Sequence, residues 1–205
     1  KGYTPSQVSS LVLKKLKDYT SGVKKVVITV PALFAEASRS ATLDAAKLAG
    51  LEAELINEPT AAVLHYANLP GVKLSGRVLV FDLGGGTFDI TIAEIKDKKV
   101  DVITSVGDKH LGGEDFDKEI IKIIDKKYKK AKGKSLNIND AKLAMTAEKI
   151  KKILSSKDKV AEIVDGPKGP HKIEIKREEF EESIDTYIEK IKMLMEEALE
   201  RADCK

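Results

Sequence analysis

Apolar and polar positions follow two periods along this chain, and the places where the period changes mark the elements. Over 6–19, Val8, Leu11, Val12 and Leu16 recur at helical spacing with lysines opposite, which predicts a helix with one apolar face, broken by Ser21-Gly22. Residues 24–30 (KKVVITV) are short and β-branched, which predicts a buried strand stopped by Pro31. Residues 36–49 are alanine-rich and helical, with Gly50 placed as the C-terminal cap. A short strand over 51–56 then leads to Asn57-Glu58-Pro59-Thr60, which opens another helix with Pro59 in its first turn. Strand and helix alternate twice here, the pattern of an α/β layer.

Residues 68–76 (NLPGVKLSG) form a turn-rich connector, read as the boundary between two lobes. Beyond it the period becomes two. Residues 77–83 (RVLVFDL) and 87–95 (TFDITIAEI) are strands joined into a hairpin by Gly84-Gly85-Gly86, and a third strand is predicted over 99–105. Leu111-Gly112-Gly113 leads into a helix over 115–131, and a polar loop leads to a second over 140–155. Residues 160–164 and 172–176 form a hairpin around Asp165-Gly166-Pro167. In the last helix, 178–202, Phe180, Ile184, Tyr187, Ile191, Leu194 and Ala198 make a face to be buried on a neighbour rather than a coiled-coil seam.

Composition narrows the class. A chain of 205 residues suits one or two compact lobes, and 42% hydrophobic residues against 34% charged favours folding over disorder. The net charge of +3 gives no global attraction to nucleic acid or membrane, and neither is expected as a partner. The single cysteine, Cys204, makes no internal disulfide. No apolar run approaches the roughly 20 residues that span a bilayer, and the N-terminal residues carry no apolar signal core. A soluble, cytoplasmic protein is expected, with an organelle as the alternative. His65, His110 and His171 lack metal-ligand spacing, and the basic run 126–134 reads as a solvated face rather than an RNA site.

Three features carry candidate chemistry. In Asp82-Leu83-Gly84-Gly85-Gly86-Thr87-Phe88-Asp89, three glycines let an anion approach the backbone, successive N–H groups can form a nest, and Thr87 adds a hydroxyl. Asp82 and Asp89 would repel bare phosphate, so they suit a hydrated cation such as Mg²⁺. No Gly-Lys-Ser/Thr follows, and the next element is a strand, which sets aside a Walker loop and a dinucleotide fingerprint. Taken alone, the segment equally describes a glycine-rich hairpin with two surface aspartates. Glu58 sits at a helix start, where a plain acid is also favoured by the helix dipole. Glu148, Lys151, Lys152 and Ser155 share one helical stripe opposite Leu143, Ala147, Ile150 and Leu154; alone, that stripe reads as a solvated face.

In order, however, VVITVPA, INEPTAA, VFDLGGGTFDI and HLGGEDFD resemble the ATPase domain of the DnaK, or seventy-kilodalton heat-shock, family over about 14–205. The resemblance implies an α/β, two-lobed actin-like (ribonuclease H-like) fold. Residues 1–71 would be the later part of the first lobe, 72–111 and 183–205 the base of the second, and 112–182 its upper subdomain. It implies a fragment of the ATP-binding, ATP-hydrolysing domain of a folding chaperone. Glu58, Asp82, Thr87 and Asp89 would be catalytic. Asp82 and Glu58 would hold Mg²⁺ through water, with Asp89 near the attacking water and a further cation such as K⁺. Gly84, Gly85, Gly86 and Thr87 would take the phosphates of ATP or ADP. Gly113, Glu148, Lys151, Lys152 and Ser155 would take the nucleoside, and Pro31 and Arg39 would belong to a relay. Implied partners are unfolded polypeptide clients, a J-domain co-chaperone and a nucleotide exchange factor. A co-chaperone-like relative that binds ATP structurally, or a sugar kinase or actin-like protein, is the alternative.

Two departures stand out. Lys152 replaces an arginine usual in the family, and Leu33-Phe34-Ala35-Glu36 replaces Tyr-Phe-Asn-Asp, which touches the relay. The family's first phosphate loop and its adenosine motif fall outside this stretch, so the stretch alone is expected to bind ATP weakly and not to turn it over.

Overall fold

The computed structural model describes residues 2–72, 74–96 and 99–204. The elements run α1 (Pro5–Lys17), β1 (Lys25–Val30), α2 (Glu36–Leu48), β2 (Glu52–Asn57), α3 (Glu58–Ala67), β3 (Gly76–Leu83), β4 (Phe88–Lys96), β5 (Lys99–Asp108), α4 (Gly113–Lys132), α5 (Ala141–Leu154), β6 (Lys159–Val164), β7 (His171–Lys176) and α6 (Arg177–Arg201). The predicted elements are present in the predicted order, in a mixed α/β arrangement. Lys73, inside the anticipated connector, lies outside the described residues. The chain forms two compact units: 1–82 with 89–107 and 197–205, and 83–88 with 108–196.

In the first unit, β1 and β2 pair in parallel, with Lys25 opposite Glu52 and Val30 opposite Asn57. Ala46, Ala49 and Leu51 form a core against which Leu13, Val26, Ile28 and Ala53 pack. Gly50 follows α2 with φ +70°, a left-handed conformation that glycine adopts without a Cβ clash, and Lys17 Nζ donates to its carbonyl at 2.9 Å. Thr4 and Gln7 cap α1 reciprocally.

Two expectations change here. Val8, Leu11, Val12 and Leu16 are each more than half exposed; α1 instead buries Ser10 and packs Leu13 on Ala46, Ala49 and Leu51. β1 is buried on one face only, and Val27 is 65% exposed, because a two-stranded sheet is covered by α2 on one side.

The three-stranded sheet has the order β3-β4-β5. Its middle strand, β4, is buried on both faces from Phe88 to Ala93, which overrides the half-buried alternation read from its sequence. The polar Thr91 inside it is satisfied by Ser105, Oγ1 to Oγ at 2.7 Å. Arg77 Nη1 donates to the carbonyls of Ala202 and Asp203 at 2.7 and 3.1 Å, fastening the end of α6 to β3.

In the second unit, α4 packs on α5 and β7, and α5 on β6. The buried faces are Phe116, Ile120, Ile121, Ile124 and Tyr128 on α4, and Leu143, Ala147, Ile150 and Leu154 on α5. The second face matches the sequence reading residue for residue. β6 and β7 are antiparallel, with Val160 opposite Ile175. Tyr128 is fully buried; its hydroxyl donates to Gly169 O at 2.8 Å and accepts from the Lys168 N–H at 3.0 Å, latching the β6–β7 turn. Of the predicted α6 face, Phe180, Ile184 and Ile191 are buried in this unit, and Tyr187 meets Phe116 edge to face at 5.9 Å.

Candidate functional site

The first unit brings three acids together. Glu58 is the first residue of α3, with Asn57 at the N-cap. Asn57 makes no capping hydrogen bond; its Oδ1 accepts from Arg39 Nη2 at 2.7 Å. The same guanidinium donates to Phe34 O at 3.2 Å and Ala32 O at 3.3 Å, so Arg39 ties the loop after Pro31 to the start of α3. The Glu58 carboxyl is pushed above its ordinary range, first by burial and then by the charges of Asp82 and Asp89. Asp82 is half-buried at the end of β3, and Asp89, only 7% exposed, is at the start of β4.

The charges of Asp82 and Asp89 therefore act on Glu58 within one neighbourhood. Among the described residues no three His, Cys, Asp or Glu side chains are close enough to hold a metal ion directly. The donor set suits a divalent cation that keeps its water shell and is contacted through it.

The second unit builds the glycine turn. Gly84 N–H donates to Thr87 O at 2.9 Å and closes it. The start of α4 docks on the turn: Gly113 N–H donates to Gly84 O at 2.9 Å and Glu114 N–H to Gly85 O at 2.8 Å. All described peptides are trans, and a planar trans peptide directs its N–H opposite its C=O. The carbonyls of Gly84 and Gly85 are held by α4. The N–H groups of Gly85 and Gly86, the other halves of those same peptides, therefore point away from α4. They are two successive backbone donors, the kind of group from which an anion site is built. A Cβ on Gly86 would meet nothing within 4 Å, and one on Gly85 only Glu114 Oε1 at 3.9 Å, so the side-chain positions of both glycines are uncrowded.

The close approach needing glycine is at Gly112, where a Cβ would lie 2.4 Å from Gly85 O and 2.6 Å from Gly86 N. Gly113, anticipated as a nucleoside contact, bonds through its N–H to the turn and through its carbonyl to Lys151 Nζ at 2.8 Å.

The α5 stripe divides. Lys151 reaches inward to Gly113 O and to Asp117 Oδ1, each at 2.8 Å. Glu148 and Lys152 are exposed and paired at 2.7 Å, which lowers the carboxyl and raises the ammonium through their mutual hydrogen bond. Ser155 is the exposed C-cap, its hydroxyl 3.3 Å from Lys151 O. Glu58, Asp82 and Asp89 thus gather in one unit, and Gly84, Gly85, Gly86, Thr87, Gly113 and Lys151 in the other.

Sequence reasoning missed Gly112 and Asp117. Gly112 stands in the quoted glycine pair, and its crowding depends on a turn about 26 residues earlier in the chain. Asp117 gives no local signal for Lys151, 34 positions later.

A mixed α/β chain with a glycine turn braced by a glycine-pair helix start, and with a separate trio of acids, is the class of protein these features define. The family model for the Hsp70 protein matches residues 1–205. The chain belongs to the Hsp70 family.

Proposed function

We propose that this chain is part of a chaperone ATPase domain, binding the phosphates of ATP or ADP at the Gly84–Thr87 turn and a hydrated Mg²⁺ at Glu58, Asp82 and Asp89. The observation that carries the reading is the pair of N–H groups on Gly85 and Gly86, aimed away from α4 because α4 holds both carbonyls. When bound, Mg·ATP would supply the phosphoanhydride bond, and attack by water would cleave it.

The chain's own residues act by position and charge. The nest donates to phosphate oxygens in a fixed direction, at no cost of reorganisation. The three acids orient the cation's waters, and Asp89, buried among them, would accept a hydrogen bond from the attacking water; K⁺ would be a further cation there. Glu148, Lys152 and Ser155 present an exposed polar stripe to a nucleoside. Membership in the Hsp70 family supports the actin-like, two-lobed arrangement over segments 1–71, 72–111 with 183–205, and 112–182. It likewise supports polypeptide clients, a J-domain co-chaperone and an exchange factor as partners, and a cytoplasmic or organellar setting.

Calorimetric titration of ATP with and without Mg²⁺ tests the reading. Asp82→Asn is expected to remove at least about tenfold of the Mg²⁺-dependent affinity. An unchanged metal dependence overturns the assignment.

A further inference from the structure

Lys151 stands on the stripe assigned to the nucleoside, yet its ammonium lies between two groups of α4: Asp117 Oδ1 and Gly113 O, each 2.8 Å away. The two side chains are only 21% and 17% exposed. Screening by solvent is therefore weaker than for the exposed pairs of this chain.

The contact leads directly to the phosphate turn. The residue whose carbonyl Lys151 holds, Gly113, donates its N–H to Gly84 O, and its neighbour Glu114 donates to Gly85 O. The start of α4 has no side chain of its own at 112 or 113 with which to hold this position. It relies on Asp115 Oδ2, which accepts from the Gly112 N–H at 3.0 Å, and on Lys151, whose Nζ would lie 3.0 Å from a Cβ on Gly113.

We propose that Lys151 and Asp117 are positioning residues for the glycine turn. They pin the first turn of α4, α4 holds the carbonyls of Gly84 and Gly85, and those carbonyls set the direction in which the Gly85 and Gly86 N–H groups point. Lys151 thus acts on phosphate binding through the backbone rather than as a ligand. The inference rests on the reading of the turn as a phosphate site.

The competing view, in which Lys151 attracts phosphate by charge alone, predicts the opposite sign for one variant. Asp117→Asn removes a negative charge, so charge alone would tighten the binding of a polyanion. Positioning predicts that it weakens, because Lys151 loses its anchor. The probe is inorganic tripolyphosphate, which lacks any nucleoside, titrated into the whole chain.

The expected result is a loss of at least about fivefold in Asp117→Asn and in Lys151→Met, with the double variant no worse than Lys151→Met alone. The second readout is amide hydrogen exchange at Gly113 and Glu114, expected to quicken at least about tenfold in both variants while Ile173 and Ile175 in β7 stay protected. Unchanged exchange at Gly113 in Asp117→Asn, or tripolyphosphate binding as tight as in the parent chain, overturns the proposal. If the parent chain fails to bind tripolyphosphate while the two amides respond, the phosphate reading falls and the bracing of the turn by Lys151 stands.

Discussion

Gly112 lies over the Gly85–Gly86 peptide so closely that a Cβ on it would come within 2.4 Å of Gly85 O. The three nearest atoms are all backbone, so no flexible side-chain end can yield there. The Gly85–Gly86 backbone therefore occupies the space that a side chain at 112 would take, and the start of α4 fits against the hairpin tip only because position 112 carries none.

Gly112→Ala is expected to destabilise the second unit by about 1–3 kcal/mol, the usual penalty for overpacking. Gly86→Ala, where a Cβ meets nothing within 4 Å, is expected to change stability by less than about 0.5 kcal/mol while weakening ATP binding, because a methyl group next to the Gly86 N–H crowds a phosphate approaching it. Urea unfolding followed by circular dichroism, with calorimetry for the ligand, separates the two. Equal stabilities would count against the crowding at Gly112.

Glu58 gives a pH signature. Its folded carboxyl is raised, by burial first and by Asp82 and Asp89 after, so its contribution to stability is present below the unfolded glutamate range and lost as pH rises through the folded value. Glu58→Gln removes that loss. The variant is expected to melt about 2 °C above the parent chain at neutral pH and level with it under acidic conditions. Saturating Mg²⁺ is expected to shrink the neutral-pH difference, since the cation favours the carboxylate. A variant less stable than the parent at neutral pH would show that Glu58 is not opposed by its neighbours.

Lys152 carries an exposed ammonium paired with Glu148. An arginine keeps that pair and adds a planar face for stacking on a base. Lys152→Arg is expected to tighten ADP by about 0.5–1 kcal/mol and to leave tripolyphosphate unaffected. An equal gain for both ligands would place the effect in hydrogen bonding to phosphate rather than in stacking.

Tyr128→Phe tests the latch on the β6–β7 turn. The change leaves Gly169 O and the Lys168 N–H without their partner at a fully buried ring, at a cost of about 1–3 kcal/mol. The loss is expected in chemical denaturation with ligand affinity unchanged; a neutral variant would mean that water takes over both bonds.

The legible parts of this fold were those governed by local rules. The Gly50 cap, the stop at Pro31 and the buried face of α5 follow from backbone conformation and from a 3.6-residue period. The parts that were not legible depend on partners distant in sequence. Val8 and Leu16 look like a core face, yet it is Leu13 that packs on Ala46, Ala49 and Leu51, and Ile90 and Ile92 sit in a central strand whose burial no alternation announces. At the site, the residue types at 58, 82 and 84–89 pointed to acids and a nest. That α4 consumes the carbonyls of that nest, and that Lys151 turns toward Asp117, depends on folding that brings positions 84, 113 and 151 together.

Asn57 gives up the capping bond its residue type usually makes and accepts Arg39 instead. The first turn of α3 is thus anchored by a residue of α2 rather than by its own chain end. Fraying of α3 past its N-cap also costs the bond between the Asn57 carboxamide and a guanidinium that grips the carbonyls of Ala32 and Phe34. The loop after β1, the first turn of α2 and the start of α3 thus share one guanidinium, so loosening any of them is expected to loosen the others, with Glu58 next to the shared point.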